Sequence, residues 1–144
     1  MLRIVVDTNI WDRALLGGQV SLPVLQAMHD NQFTLLVSKE LLAELREVAQ
    51  RPRLKKAIDD FELQELLELL ERRGEPVLLE TVPPRCRDPK DEPVLATAID
   101  GHADAIVTGD DDLRADEGLR QEMLSLGVQL WGMQSFLNAL SRPG

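Results

Sequence analysis

The sequence predicts one α/β domain whose mainly parallel sheet carries helices on both faces. Three observations lead there. Short β-branched and aliphatic runs alternate with amphipathic stretches from one end of the chain to the other, the pattern of strands joined by helical crossovers. The strand-like runs are apolar throughout, as expected of strands covered on both sides. No repeat, low-complexity tract or linker divides the 144 residues, a length suited to one domain with a sizeable core.

The elements follow in order. Residues 2–7, LRIVVD, form the strongest strand candidate, ending in a polar triplet. A short helix is expected from Ile10 to Leu16, stopped by Gly17 and Gly18. Ser21 can cap a second helix with Pro23 in its first turn, where a missing N–H costs little. Residues 33–37, FTLLV, read as the second strand. Ser38 then caps a helix running to about Ala49, and Pro52 bars much further continuation. After a helical turn at 54–58, Asp59 or Asp60 opens a helix with Leu63, Leu66, Leu67 and Leu70 on one face, and Gly74 stops it. VLLE at 77–80 is a weaker strand, before the stiff Pro83–Pro84 pair. A helix from about Pro93 to Gly101 leads into the strand AIVT at 105–108. An acidic turn, a helix near 119–125, the strand VQLW at 128–131 and a helix near 133–140 complete the series.

Composition narrows the chemistry. Cys86 is the only cysteine, which rules out an intrachain disulfide and a thiolate zinc cage. His29 and His102 are the only histidines and lack helical-spaced partners, so histidine-based hydrolysis has little support. No apolar run is long enough to span a bilayer. Met1 stands two residues before a strand-like run with no leader pattern, so a cytoplasmic address is expected. The net charge of −9 opposes contact with phosphate, yet the charge is segregated. Residues 88–122 hold eleven acids against three bases, nearly the whole excess. Residues 46–56 carry Arg46, Arg51, Arg53, Lys55 and Lys56 against Glu47 alone. An acidic cluster beside a basic stripe suits a metal-dependent nuclease, although solvated helix faces give the same counts.

Ligands of such folds bind outside the carboxyl ends of the strands. Asp7 ends the first strand, and Asp110, Asp111 and Asp112 follow AIVT. Parallel neighbouring strands would bring these acids to one edge. The alternative is that Asp7-Thr8-Asn9 caps the next helix and 110–112 is a polar turn. Glu44 is separated from its neighbours by geometry. Glu40 and Glu47 point about 140–160° from the centre of the apolar face of their helix, whereas Glu44 lies about 100° away, at its edge. A carboxylate there is desolvated and requires a cation, either a metal or a nearby arginine. Asp91 could be no more than the cap of the Pro93 helix, and Asp88 could merely shape the Pro89 turn. Carboxylates crowded together raise one another's pKa unless a divalent cation compensates. Mg²⁺ or Mn²⁺ suits all-oxygen ligands and leaves room for water and phosphate. No phosphate-cradling glycine loop or serine–histidine arrangement competes. Asp110 and Asp112 share a side only if the chain stays extended past Asp110.

Four blocks carry a resemblance: VVDTNIW at 5–11, SKELLAELREVAQRP at 38–52, RDPKDEPVLATAIDGHADAIVTGDDDL at 87–113 and VQLWGMQSFL at 128–137. Together they resemble PIN-domain proteins, in particular bacterial toxin ribonucleases of the VapC type. The resemblance implies a three-layer α/β/α domain over residues 1–144, with a mostly parallel sheet of about five strands and a Mg²⁺- or Mn²⁺-dependent ribonuclease site. Asp7, Glu44, Asp91 and Asp110 match the family's four acids, with Asp112 a further metal candidate. Thr8, Asn9 and Thr108 match residues that orient them. Homodimers and a small inhibitory antitoxin are implied as well. Arg46, Arg51, Arg53 and Lys55 are the cations expected near an RNA backbone. Two rivals stay open: a PIN-like module that binds a partner protein without catalysis, and an aspartate-based phosphoryl receiver or phosphatase. Against the latter, Asn9 stands where a phosphatase would repeat aspartate, and no lysine follows a late strand.

Overall fold

The structure, a computed structural model, describes residues 1–17, 22–80 and 92–141. Its elements are β1 (Arg3–Val6), α1 (Thr8–Leu15), α2 (Leu22–His29), β2 (Thr34–Val37), α3 (Lys39–Ala49), α4 (Pro52–Lys55), α5 (Asp60–Arg73), β3 (Glu75–Pro76), α6 (Glu92–Asp100), β4 (Ala105–Val107), α7 (Asp111–Ala115), α8 (Glu117–Ser125), β5 (Gln129–Trp131) and α9 (Met133–Leu140). The expected caps at Ser21 and the Pro83–Pro84 pair, together with Cys86, Asp88 and Asp91, fall outside the described residues.

The strands form one sheet of order β3-β2-β1-β4-β5, parallel at every pairing. Strand alternation divides its apolar residues between two cores. Ile4, Val6, Leu35, Val37, Ala105 and Val107 face one side, with side chains of α1, α2, α3, α5 and α9. Val5, Leu36 and Ile106 face the other, with those of α6, α7 and α8. Both faces of the three central strands are thus dry, which is why β1, β2 and β4 read as apolar runs, while the edge strands β3 and β5 remain partly exposed. This is the three-layer α/β/α arrangement. Phe33, just before β2, meets Phe136 of α9 edge-to-face at 5.1 Å and anchors the last helix to its core.

Several boundaries differ from expectation for local reasons. Helix α1 begins at Thr8 because Asp7 caps it, and Gly17 supplies the left-handed turn after it (φ 79°). Pro52 opens a new short helix at a position where its missing N–H is harmless, rather than only ending the old one. The third strand is Glu75–Pro76, not 77–80, and the pairing is extended by Val77 N donating to the Val37 carbonyl at 2.8 Å. Residues 111–115, expected as a turn, form the brief helix α7. Gly74 ends α5 with φ −79° and ψ 150°, an extended conformation. Its small size answers to packing: a Cβ would sit 2.6 Å from Val37 Cγ2 and 2.7 Å from the Leu70 carbonyl oxygen.

Candidate active site

The chain runs outward from β1 to β2 and β3, then returns past β1 to β4 and β5. The direction reverses between β1 and β4, which opens a crevice beyond their carboxyl ends. Asp7 enters it from β1 and Thr108 to Asp110 enter from β4. Sheet pairing carries on to the lip: Asp7 N donates to Val107 O and Thr108 N to Trp131 O, both at 2.9 Å.

Asp7 is 3% accessible and held from all sides. Its Oδ1 accepts from Thr8 N at 2.7 Å, and its Oδ2 accepts from the Thr108 hydroxyl at 2.7 Å. The Thr108 oxygen in turn accepts from Asp110 N at 3.1 Å. Asn9 spans the gap, its Oδ1 accepting from Gly109 N at 3.1 Å and its Nδ2 lying 3.4 Å from Asp7 Oδ2 and 3.3 Å from Thr108 Oγ1. Burial pushes the Asp7 carboxyl above its usual range. The bonds from Thr108 and Thr8 pull the other way, and the charge of Asp110 adds to the upward push.

Asp110 caps α7, with Oδ1 accepting from Asp112 N at 2.9 Å and Leu113 N at 3.3 Å. The chain therefore turns at Asp110 instead of staying extended. Asp110 is half-buried in the crevice, while Asp112 is exposed in the first helical turn. Both Asp7 and Asp110 serve as helix caps and still line the crevice, so the capping and the site readings are compatible.

Asp12 was not singled out by sequence reasoning. It lies one turn beyond Thr8 on α1, and that i, i+4 spacing was the available signal. Its carboxyl is pushed up to about 6 by burial and by the charges of Asp7 and Glu44, with Arg51 opposing. Its Oδ1 is buried and accepts no hydrogen bond among the described residues. Glu44 is half-buried while Glu40 and Glu47 are exposed, as its place at the edge of the apolar face requires. An electrostatic chain thus runs Asp110–Asp7–Asp12–Glu44.

The predicted cations disperse. Arg51 acts on Asp12. Arg46 lies about 200° around α3 from Glu44, in a groove lined also by Lys39, Glu47, Leu67 and Glu71. Arg53 and Lys55 are exposed on α4.

Asp91 directly precedes α6 in the sequence, outside the described residues. The helix itself is tied down by a directed series of hydroxyls. Thr97 Oγ1 donates to Pro93 O at 2.6 Å, so it receives the proton of Ser38 Oγ, 2.7 Å away. Ser38 Oγ accepts from Leu41 N at 3.1 Å and so caps α3. This couples the helix behind Asp91 to the helix that carries Glu44.

Among the described residues, no three histidine, cysteine, aspartate or glutamate side chains converge closely enough to form an ion cage. The donor chemistry nevertheless fits a hard divalent cation. The candidate ligands are carboxylate oxygens, Asp12 Oδ1 is buried without a hydrogen-bond partner among the described residues, and burial, with neighbouring acid charge added, raises Asp7 and Asp12.

A parallel α/β domain with carboxylates gathered at its switch point is the class of protein the fold and site define. The chain belongs to the PIN domain family, which it matches over residues 3–112. Among solved structures it is similar to a PilT N-terminus domain protein, SSO1118, from the hyperthermophilic archaeon Sulfolobus solfataricus P2. That likeness covers 99% of this chain and 97% of that one, at a TM-score of 0.51 and 14% identity, and speaks to the fold. No match was found among curated proteins. No helix among the described residues is long and apolar enough to cross a membrane.

Proposed function

We propose that this PIN domain is a ribonuclease that hydrolyses RNA phosphodiester bonds with Mg²⁺ or Mn²⁺ in the crevice between β1 and β4. The observation that carries the reading is the electrostatic chain Asp110–Asp7–Asp12–Glu44. It draws carboxylates from the ends of two strands and from two helices, and their charges act on one another. A scaffold gains nothing from burying like charges together, whereas a divalent cation turns that repulsion into affinity.

Asp7, Glu44 and Asp110 would hold the ion, with Asp91 joining them by the sequence resemblance and Asp12 by its orphaned oxygen. When bound, such an ion supplies a lowered water pKa and compensates charge on the phosphate and the leaving oxygen. The chain's own contribution is orientation. Thr108, Thr8 and Asn9 hold both oxygens of Asp7 and so fix the orientation of its carboxylate. Asp112 is exposed beside Asp110 in the first turn of α7 and would be a further ligand candidate by the resemblance. Arg51 supplies positive charge beside Asp12. The toxin role, a homodimer and a cognate antitoxin rest on the resemblance to VapC-type proteins.

The test is cleavage of total RNA and tRNA by purified protein in millimolar Mg²⁺ or Mn²⁺, with and without EDTA. The expected outcome is cutting that EDTA stops and that Asp7→Asn abolishes. Intact RNA, combined with no heat of Mn²⁺ binding in calorimetry, would overturn it in favour of a partner-binding module.

A further inference from the structure

Among the described residues, Arg13 is a cation at the lip of the crevice. Gly109 joins Thr108 to Asp110, and a Cβ on it would lie 2.7 Å from Arg13 Nη1, 2.9 Å from Cζ and 3.0 Å from Nη2. Three nearly equal distances mean that the guanidinium lies face-on over the glycine. The absent side chain is its seat, and the two terminal nitrogens are among the atoms closest to it. Arg13 is exposed in the last turn of α1. It takes part in none of the ion pairs or side-chain hydrogen bonds among the described residues. Its guanidinium sits against Gly109, between Thr108 and Asp110 in the chain.

Arg114 provides an internal comparison. It reaches Gly132, the residue after β5, end-on through Nη1 and not face-on, and its guanidinium is paired with Asp111. Two arginines thus rest on glycines at the carboxyl edge of the sheet. The charge of Arg114 is compensated within the protein and that of Arg13 is not.

The geometry points to Arg13 as a phosphate-binding residue for single-stranded RNA, engaging a backbone phosphate beside the scissile bond. This rests on the nuclease reading. A chain of net charge −9 repels RNA at long range, so an acidic crevice needs a fixed cation at its lip to admit a phosphodiester. A guanidinium offers two parallel N–H donors that match two phosphate oxygens, and a seat that fixes its plane lowers the ordering cost of using them.

The test follows binding of a short fluorescein-labelled single-stranded RNA by anisotropy in calcium buffer, and cleavage of the same RNA in Mn²⁺. Arg13→Gln should weaken binding about tenfold and lower the slope of log affinity against log salt by about 1. Arg13→Lys should restore the charge dependence but only part of the affinity. Gly109→Ala displaces the guanidinium without removing it and should weaken binding on its own, yet add nothing to Arg13→Gln. This second route keeps the test open if Arg13→Gln folds poorly. Wild-type affinity in Arg13→Gln, or full additivity of the two changes, would overturn the assignment. RNA cut normally by both wild type and Arg13→Gln would sink the Arg13 role alone. Arg13-dependent binding without cutting would sink the nuclease reading alone. RNA neither bound nor cut would sink both.

Discussion

The hydroxyl of Thr108 donates to Asp7 Oδ2 at 2.7 Å, across 101 residues of sequence, while its oxygen accepts from the backbone N–H of Asp110 at 3.1 Å. One small side chain therefore sets the relation between the acids that end β1 and follow β4. Thr108→Val keeps the shape but leaves a buried carboxylate oxygen and a backbone N–H short of partners. The expected loss is about 1–3 kcal/mol, read from urea unfolding, with Thr108→Ser retaining most of it. A valine variant as stable as the wild type would show that the hydroxyl does not organise this junction.

Asp12 makes stability depend on pH. Its folded pKa of about 6 lies above its ordinary value of 3.8, so the fold prefers the protonated form. Its contribution is fully present below the unfolded value and is lost as pH rises through the folded one. Asp12→Asn stays neutral throughout. In metal-free buffer it should therefore be more stable than the wild type at alkaline pH, by about 1–2 kcal/mol after allowing for solvent screening of a half-buried group. The advantage should vanish in acid. The check is the urea midpoint of both proteins across that range, and a difference independent of pH would contradict the assignment.

Ser38 caps α3 and also donates a hydrogen bond to Thr97 on α6. Asp59 caps α5 at an exposed position through Phe61 N. Ser38→Ala should cost about 1–2 kcal/mol and more than Asp59→Ala, because a buried partner is stranded as well as a cap lost. Thermal unfolding of the two variants side by side makes the comparison, and equal losses would mean that the Thr97 link contributes little.

At Gly74 the backbone needs no left-handed conformation, so alanine is resisted by space alone. Gly74→Ala presses on the Val37 side chain, which can shift, and on the Leu70 carbonyl, which is fixed by its helix. A destabilisation of about 1–3 kcal/mol is expected from overpacking. Gly74→Ala combined with Val37→Ala should recover only part of it, since the carbonyl clash persists. Full recovery would place the whole conflict at Val37.

Local spacing carried much of the molecule. The apolar runs at residues 3–6, 34–37, 105–107 and 129–131 became strands because β-branched and aliphatic residues flank clear stop signals. The edge position of Glu44 on its helix followed from angular period alone. Local pattern was insufficient where a partner decided the outcome. The third strand lies at 75–76 and not at 77–80, because pairing with Leu36 and Val37 begins as soon as α5 releases the chain. Helix α7 is too short for a periodic signal and depends on the cap that Asp110 supplies.

The sequence by itself determined the alternation of strand and helix, the family resemblance, and the identity of Asp7, Glu44 and Asp110 as acids to watch. These depend on residue type and on periods of two or 3.6, which are written along the chain. Only the tertiary structure decided that Asp12 joins them, that Asp110 lies in the crevice while Asp112 faces solvent, that Arg46 turns toward α5, and that Arg13 rests on Gly109. The meeting of Asp7 with Thr108 and the contact of Arg13 with Gly109 depend on β4 lying against β1, a neighbour relation set by burying both faces of one sheet and legible in no local stretch.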